Sequence, residues 1–486
     1  MIRAGEAEAF SAFLFGRRLE LEIKGTQEVD VLMAGAGGGA YPAAFRLARA
    51  GMTVVMVDPK GVMSGNCLAE GCVPSKAVRE VAHERARQLR FGKYGLPGSF
   101  GVDYGKVVAH KDRVQRMRYD QHVVELSREP NIRLVKGRVR FFDAHTVIVE
   151  GEKGEDRYRA RFILVATGSD IVVPPVPGAE HCLTSRDLFA LSPTLTTLPT
   201  SLGIIGGGYI GLETATMLGA LGCRTTLFEQ GPRVLSGMDG EMVGELVSLL
   251  DPSIEILTEV HVREIRKAER GYEVLFRHGS EGETRTLFFG QVMMATGRRP
   301  VIPEGLAALG VEVSRKGLVV DPSLRTTLPH LFAAGDVNGI VPLFHAAVRQ
   351  SLVAAHNILG GEAALDYFDP GPVPTTVFTL PEAAYVGLVP ETAKKKGIPV
   401  LAGRYDFVED SRAQILGETG GGITLLFEPG SLRLLGGTIV GVDAGNLIGE
   451  IGLALAGGLT ARDLASFADQ HPMASEGIGK AARSLF

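Results

Sequence analysis

Val29-Asp-Val-Leu-Met-Ala34 runs straight into Gly35-Ala-Gly37-Gly-Gly-Ala40, and Ser201-Leu-Gly-Ile-Ile205 runs into Gly206-Gly-Gly208-Tyr-Ile-Gly211. In both places an apolar strand meets a glycine turn, a helix-like run follows (to Arg49 and to Leu221), and a second strand ends in an acid. The second strands are Thr53 to Val57, closed by Asp58, and Arg224 to Phe228, closed by Glu229. This strand–turn–helix–strand context, with its acid, raises a G-x-G-x-x-G match from a plain turn to a dinucleotide fingerprint. The glycines let the backbone approach a pyrophosphate lying on a helix N-terminus, and the acid bonds a ribose. Ala40 replaces the third glycine of the first copy, a tolerated change where helix packs on strand. Glu229 carries a further consequence. Its carboxylate bonds a free ribose 2′-hydroxyl and repels a 2′-phosphate, which favours NAD over NADP.

Between the two copies lies Cys67-Leu-Ala-Glu-Gly-Cys72-Val-Pro74-Ser-Lys76. A close cysteine pair cycling between dithiol and disulfide is a two-electron store, and a flavin is a suitable exchange partner. Positions five apart on a regular helix have Cα atoms near ~8.6 Å, whereas a disulfide wants them closer than about 7 Å. A bonded pair therefore demands a distorted turn, for which Gly71 supplies the backbone freedom. Pro74 suits the first turn of a following helix, Ser75 to Leu89. Cys72 then faces a helix N-terminus and the Lys76 ammonium, both of which favour a thiolate. The alternatives are two buried thiols or half of a zinc site; zinc usually takes four ligands at shorter spacings, and no second cysteine pair exists. No metal site is expected.

At 486 residues the chain is too long for one core. Its 45% hydrophobic and 22% charged content is that of a globular enzyme. The net charge of −4 gives no reason to expect nucleic acid or an anionic membrane as partner, and no apolar run reaches the ~20 residues needed to span a bilayer. Four cysteines in so long a chain do not make a secreted disulfide scaffold, so a reducing compartment, the cytoplasm, is expected. The N-terminal 28 residues, with Phe10-Ser-Ala-Phe-Leu-Phe15, read as an extra element docking on the body rather than a targeting segment. Each fingerprint is followed by a matching strand and turn, Phe162 to Ser169 and Val292 to Arg298; His330-Leu-Phe-Ala-Ala-Gly335-Asp336-Val is a further short strand ending in glycine and acid. After Asp369-Pro-Gly-Pro-Val-Pro374 the pattern changes to strands at Thr375 to Leu380, Gly422 to Phe427 and Leu434 to Val442, and a helix at Ala444 to Gly457, an α+β unit.

Together these segments resemble the flavoprotein disulfide reductases, or pyridine nucleotide-disulfide oxidoreductases, from about residue 29 to the C-terminus. The resemblance implies an α/β fold with two Rossmann-like domains, for FAD and NAD, plus a C-terminal α+β domain that builds a homodimer. The implied boundaries are 29–169 with 298–370 for FAD, 170–297 for NAD and 371–486 for the interface. It implies that Gly35, Gly37, Asp58, Lys76, Gly168 and Asp336 contact FAD and that Gly206, Gly208, Gly211, Glu229 and Gly297 contact NAD. Glu213 matches the family's acid that pairs with Lys76 beside the flavin.

The end of the chain, Gln470-His471-Pro472-Met-Ala-Ser-Glu476, matches the His-Pro…Glu motif of the dihydrolipoamide dehydrogenase and glutathione reductase group. Pro472 fits a first helical position with His471 at the cap, and Glu476 can orient the imidazole as an acid does in a triad. The implied activity is oxidation of protein-bound dihydrolipoamide through Cys67 and Cys72, with hydride passed to NAD and a lipoyl-bearing carrier as partner. The alternatives are a reductase of another disulfide or of a metal ion, and a non-catalytic flavin-bound subunit of a complex. Mercuric reductases look similar at Thr375-Thr-Val-Phe-Thr and Gly361-Glu-Ala-Ala-Leu-Asp366, but their C-terminal cysteine pair has no counterpart in Ala-Arg-Ser-Leu-Phe486. Soluble transhydrogenases share the look of Ser411-Arg-Ala-Gln-Ile415 yet generally lack the complete cysteine pair and the histidine. Three residues depart from the lipoamide group: Asn66, Ala69 and Glu70. An acid at Glu70, beside Cys67, is expected to disfavour its thiolate and to repel an acidic carrier. Phe344 stands where a small residue is usual, and the helix His345 to Ser351 lacks the group's acids. Cys182 and Cys223 read as inert.

Overall fold

The computed structural model describes residues 25–486 apart from 97, 99, 100, 153, 280, 281 and 362–364. The N-terminal extension up to residue 24, with its Phe10–Phe15 patch, and the middle of the Gly361–Asp366 segment lie outside the described residues.

The first sheet has five parallel strands in the order Ile132–Lys136, Val54–Asp58, Thr26–Ala34, Gly154–Val165 and Leu331–Ala333. The hairpin Arg138–Phe141 and Thr146–Gly151 extends it antiparallel from the long strand. Successive residues face opposite sides, as a strand requires. Val31, Met33, Met56, Leu164 and Phe332 enter one core, and Leu32, Val55, Val57, Ile163 and Leu331 enter the other. Covering both faces explains why these strands read as unbroken apolar runs. The first strand starts at Thr26, earlier than its apolar pattern, because Thr26 to Val29 pair with Arg157 to Ala160.

The second sheet repeats the plan with four parallel strands: Glu255–Leu257, Arg224–Phe228, Ser201–Ile205 and Gln291–Met294. Its antiparallel meander is Val260–Ala268, Gly271–His278 and Thr284–Phe289. The chain leaves the first unit through Ser169–Ile171 and returns through Arg298–Pro300, and these two crossings pair antiparallel. The C-terminal unit is a five-stranded antiparallel sheet in the order Thr375–Val377, Glu382–Gly387, Leu434–Gly441, Gly422–Phe427 and Leu401–Asp406, backed by the helix Ala444–Ala456.

The first unit carries a large insertion between its second and third strands: the helices Gly65–Glu70, Cys72–Gln88 and Tyr104–Ser127. The helix Cys72–Gln88 docks on the C-terminal unit. Arg79 lies 2.9 Å from Glu382 and donates to the carbonyls of Phe378 and Thr379, each at 3.2 Å.

Candidate active site

The two glycine turns are built alike. Gly35 has φ +118, and a Cβ there would lie 2.2 Å from the Ala166 carbonyl oxygen; Gly206 has φ +114, and its Cβ would lie 2.4 Å from that of Ala295. Each turn is thus pressed onto the end of its neighbouring strand, in a conformation only glycine adopts freely. The second glycines face space instead. A Cβ on Gly208 would meet nothing within 4 Å, and one on Gly37 only the Cα of Gly65 at 3.9 Å. Gly168 and Gly297, at φ +71 and +109, also face open space.

The close helix–strand approach falls on different residues in the two copies. In the second it is Gly211, whose Cβ would lie 2.1 Å from the Gly206 carbonyl oxygen. In the first it is Gly39, whose Cβ would lie 2.6 Å from the Ala334 carbonyl oxygen, while Ala40 precedes a helix that begins only at Tyr41. Sequence reading missed Gly39, although the run of three glycines was the available signal.

The acids differ in setting. Asp58 is buried, which pushes its carboxyl up, against backbone N–H groups of Lys60, Ala36 and Gly61 that favour its charge. Glu229 accepts N–H bonds from Gly207 at 2.7 Å and Gly231 at 2.6 Å, so it stands at the lip of the second turn. Both turns therefore offer an open cradle that a side chain would fill, next to an acid able to take a ribose hydroxyl. These features fit two dinucleotides. The resemblance would place FAD at Gly35, Gly37, Asp58, Lys76, Gly168 and Asp336 and NAD at Gly206, Gly208, Gly211, Glu229 and Gly297; of these, Gly35, Gly206 and Gly211 shape the turns by close packing, while Gly37, Gly208, Gly168 and Gly297 face the open space.

Cys67 sits in the helix Gly65–Glu70, and Cys72 is the first residue of the helix Cys72–Gln88, which starts ahead of the expected Ser75. Gly71 separates the helices at φ −126, ψ −111, and a Cβ there would lie 2.9 Å from the Asn66 carbonyl oxygen. The break brings both cysteines, present as free thiols, close enough to act on one another. Their acidities separate. Interaction with Cys67 lowers the Cys72 thiol, burial opposes this, and the Lys76 ammonium reinforces it. Interaction with Cys72 raises Cys67, and burial adds to the rise. A helix N-terminus at Cys72 acts in the same sense as Lys76. Burial pushes Cys182 and Cys223 up to about 12 each, which keeps them as inert thiols.

The Lys76 ammonium lies 2.7 Å from Glu213 and 4.3 Å from the centroid of the Phe378 ring. The other Glu213 oxygen accepts the Phe378 N–H at 3.0 Å, so this acid ties the helix Cys72–Gln88 to the C-terminal unit. Asp336 accepts from the Ser169 hydroxyl at 2.6 Å, and Arg298 donates to the same Ser169 through Nε at 2.9 Å and through Nη2 to its carbonyl at 2.7 Å. Tyr209, just after Gly208, is partly exposed and lies within electrostatic reach of the same groups. Burial pushes its phenol up to about 12, and Arg298, Asp336, Glu213 and Cys72 all act on it electrostatically. Sequence reading passed over Tyr209 as one residue of a turn.

Glu70 corrects an expectation. It is buried and held by Arg186 and Lys60, the latter at 3.0 Å, so it presents no free negative charge to an arriving carrier. Burial opposes its ionisation, but Arg186 and Lys60 outweigh this and hold its carboxyl below the usual range. Phe344 lies over the first glycine turn, where a Cβ on Gly38 would come 2.9 Å from its ring, and 6.5 Å from the Tyr41 ring.

His471 Nδ1 lies 2.7 Å from Glu476 Oε1. Burial opposes the Glu476 charge, but His471 and Lys480 outweigh it, so the carboxyl sits below its ordinary value. The expected helix start at Pro472 is corrected: the His471–Pro472 bond is cis, and the helix begins at Glu476. The His471 side chain is 70% exposed, and among the described residues no hydrogen bond or ion pair within the chain joins it to Cys67 or Cys72.

Residues 29–351 match the family model described as pyridine nucleotide-disulphide oxidoreductase, and residues 373–482 match that family's dimerisation domain. A dihydrolipoyl dehydrogenase of Geobacillus stearothermophilus is 33% identical, the match covering 92% of this chain and 94% of the relative; that of Bacillus subtilis matches to the same extent. Among solved structures, the Cu(II) complex of the HOCl-induced flavoprotein disulfide reductase RclA from Escherichia coli superimposes with a TM-score of 0.84 at 25% identity, covering 95% of this chain and 100% of that one. LpdA from Mycobacterium tuberculosis shares the fold, with a TM-score of 0.85 at 23% identity. With two nucleotide units, a cysteine pair between them and the matched dimerisation domain behind, this chain belongs to the pyridine nucleotide-disulfide oxidoreductases, FAD- and NAD-dependent enzymes acting on a sulfur group.

Proposed function

We propose that the protein is a dihydrolipoamide dehydrogenase working as a homodimer, with a lipoyl-bearing protein or domain as its partner. The observation that carries this reading is the 2.7 Å contact of His471 Nδ1 with Glu476. A carboxylate that accepts the Nδ1 proton orients the ring and leaves Nε2 as a base for a substrate thiol. The exposure of His471, in the segment that matches the dimerisation domain, supports its serving the cysteines of the second chain. The near-full-length likeness to dihydrolipoyl dehydrogenases supports the substrate.

In the oxidised enzyme Cys67 and Cys72 share a disulfide. His471 takes a proton from one thiol of the dihydrolipoyl group, and the thiolate attacks Cys67. The Cys67–Cys72 bond breaks and Cys72 leaves as a thiolate, the better leaving group because Lys76 and the helix N-terminus favour its charge. The second substrate thiol then attacks the mixed disulfide, closing the cyclic lipoyl disulfide while its proton passes to the departing Cys67 sulfur. Bound FAD would supply the two-electron acceptor for the reduced cysteine pair, and NAD, held at the second turn, would be the final hydride acceptor. Lys76, held by Glu213, supplies a fixed positive charge beside the Cys72 sulfur.

His471→Ala is expected to lower dihydrolipoamide oxidation by ~10² or more with FAD still bound; near-normal turnover would remove His471 from the reaction. A panel of lipoamide, other disulfides and soft metal ions, at equal enzyme concentration, tests the substrate assignment. Faster reduction of another acceptor would replace it. Among the described residues no helix is long and apolar enough to cross a membrane, and the sparse cysteines support a reducing cytoplasmic setting.

A further inference from the structure

Glu70 is the residue this mechanism leaves unused, and its surroundings are the most elaborate near the cysteines. It is 4% exposed, ends the six-residue helix that carries Cys67, and stands one glycine before Cys72. Its carboxylate accepts from Arg186 through Nε at 2.8 Å and Nη2 at 3.1 Å. Arg186 belongs to Ser185–Phe189, the helix just after the chain passes to the second nucleotide unit, and also bonds Asp170 at 3.0 Å. A second arm reaches the same stretch. Gln115, fully buried, donates to the carbonyls of Leu68 at 2.9 Å and Ala69 at 3.1 Å. The buried Lys111 then donates to Gln115 at 2.8 Å and to the Ala190 carbonyl at 2.6 Å. So short a helix has little stability of its own, and both arms tie it to residues 186–190.

We propose that Glu70 is a positioning residue: its clamp on Arg186 holds the Cys67 helix against Cys72 and thereby sets how readily that sulfur pair is reduced. This rests on the redox reading of the two cysteines and is independent of the substrate's identity. Sulfurs held in place have a high effective concentration toward each other, which favours the disulfide. Loosening the clamp from either side eases reduction. A purely electrostatic role behaves differently. Removing the Glu70 charge leaves Arg186 and Lys60 to favour thiolates and eases reduction, whereas removing the Arg186 charge does the opposite.

The test equilibrates the holoenzyme anaerobically with mixtures of reduced and oxidised dithiothreitol. One dithiothreitol supplies two electrons and two protons to the Cys67–Cys72 disulfide, giving two thiols and the cyclic oxidised reagent. Quenching by alkylation and weighing the labelled peptide reads the reduced fraction. Glu70→Gln and Arg186→Gln are each expected to reach half-reduction at a reduced-to-oxidised ratio at least threefold lower than the unaltered enzyme, with FAD content and dye reduction by NADH within twofold. Unchanged ratios overturn the proposal, as do shifts in opposite directions, which mark a charge effect alone. Parallel loss of FAD and dye reduction in both variants also overturns it, marking a folding role. If Glu70→Gln does not fold, the half-exposed Arg186 decides the matter, because clamp and charge predict opposite signs for its replacement. If the unaltered pair fails to cycle at all, the redox reading itself falls, a result distinct from a failed clamp.

Discussion

From second strand to third, the first nucleotide unit passes through residues 59–131, whereas the second does so through residues 229–254. The long insertion holds Cys67, Cys72, Lys76 and the buried Gln115; the short one holds the single helix Gly240–Leu249. Elsewhere the units agree down to the first glycine of each turn, where a Cβ would strike the carbonyl oxygen that follows the adjoining strand. The comparison teaches that the nucleotide frame is generic and that sulfur chemistry enters by insertion at one of its edges. The acids tell the same story on a smaller scale. Asp58 lies buried beneath its turn, while Glu229 sits at the lip, held by two backbone amides. A cofactor retained through many turnovers suits the first arrangement, and one that exchanges at every turnover suits the second.

Equivalent substitutions in the two turns are the strongest way to break this comparison. Gly35→Ala forces a methyl onto the Ala166 carbonyl at positive φ, a cost of about 3 kcal/mol or more. The purified protein should lose most of its yellow colour. Gly206→Ala introduces the same clash at Ala295 but should leave flavin content intact while raising the KM for NAD at least tenfold. Flavin loss from the second variant, measured by absorbance after desalting, would mean that the units do not divide the cofactors as argued.

Glu229→Ala sharpens the contrast between the acids. It should lower kcat/KM for NAD about tenfold, the value of a hydrogen bond to a charged group, and narrow the preference over NADP. Steady-state kinetics with both nucleotides checks this, and an unchanged preference would remove Glu229 from the selection.

The cysteine insertion has its own pH signature. The Cys72 thiol is lowered, chiefly by Cys67 and further by Lys76. Its thiolate is therefore present above the folded-state value and is lost as pH falls through it. Lys76→Met removes one source of the lowering, so in reduced enzyme the long-wavelength thiolate–flavin absorbance should disappear at a higher pH than in the unaltered protein. An identical titration curve would separate Lys76 from the thiolate.

Ala40→Gly should have the smallest effect. Ala40 lies just ahead of the first helix and makes no close approach of the kind seen at Gly211, so the change should cost about 1 kcal/mol, the loss of one buried methyl. Thermal unfolding with flavin bound measures it.

Much of this molecule was legible in its residues because the signals were local. Two glycine turns with an acid closing the next strand require only neighbouring residues to interact, and so does a cysteine pair that cannot bond within a regular helix. The helix start at Cys72 and the displaced close packing at Gly39 were not legible. The first depends on the break at Gly71, pressed onto the Asn66 carbonyl of the preceding helix, and the second on where a separate strand presents the Ala334 carbonyl. The pairing of His471 with Glu476 was legible but its local structure was not, since the helix begins only at Glu476.

Glu70 marks the boundary most sharply. By itself the residue string determined the two nucleotide units and singled out the cysteine pair and the histidine–acid couple, because each is a short-range pattern with its own stereochemistry. Whether an acid between two cysteines repels its substrate or braces the loop was decided only by the tertiary structure. The reason is electrostatic: a carboxylate's effect depends on which charges face it, and Arg186 and Lys60 reach Glu70 only once the chain has folded.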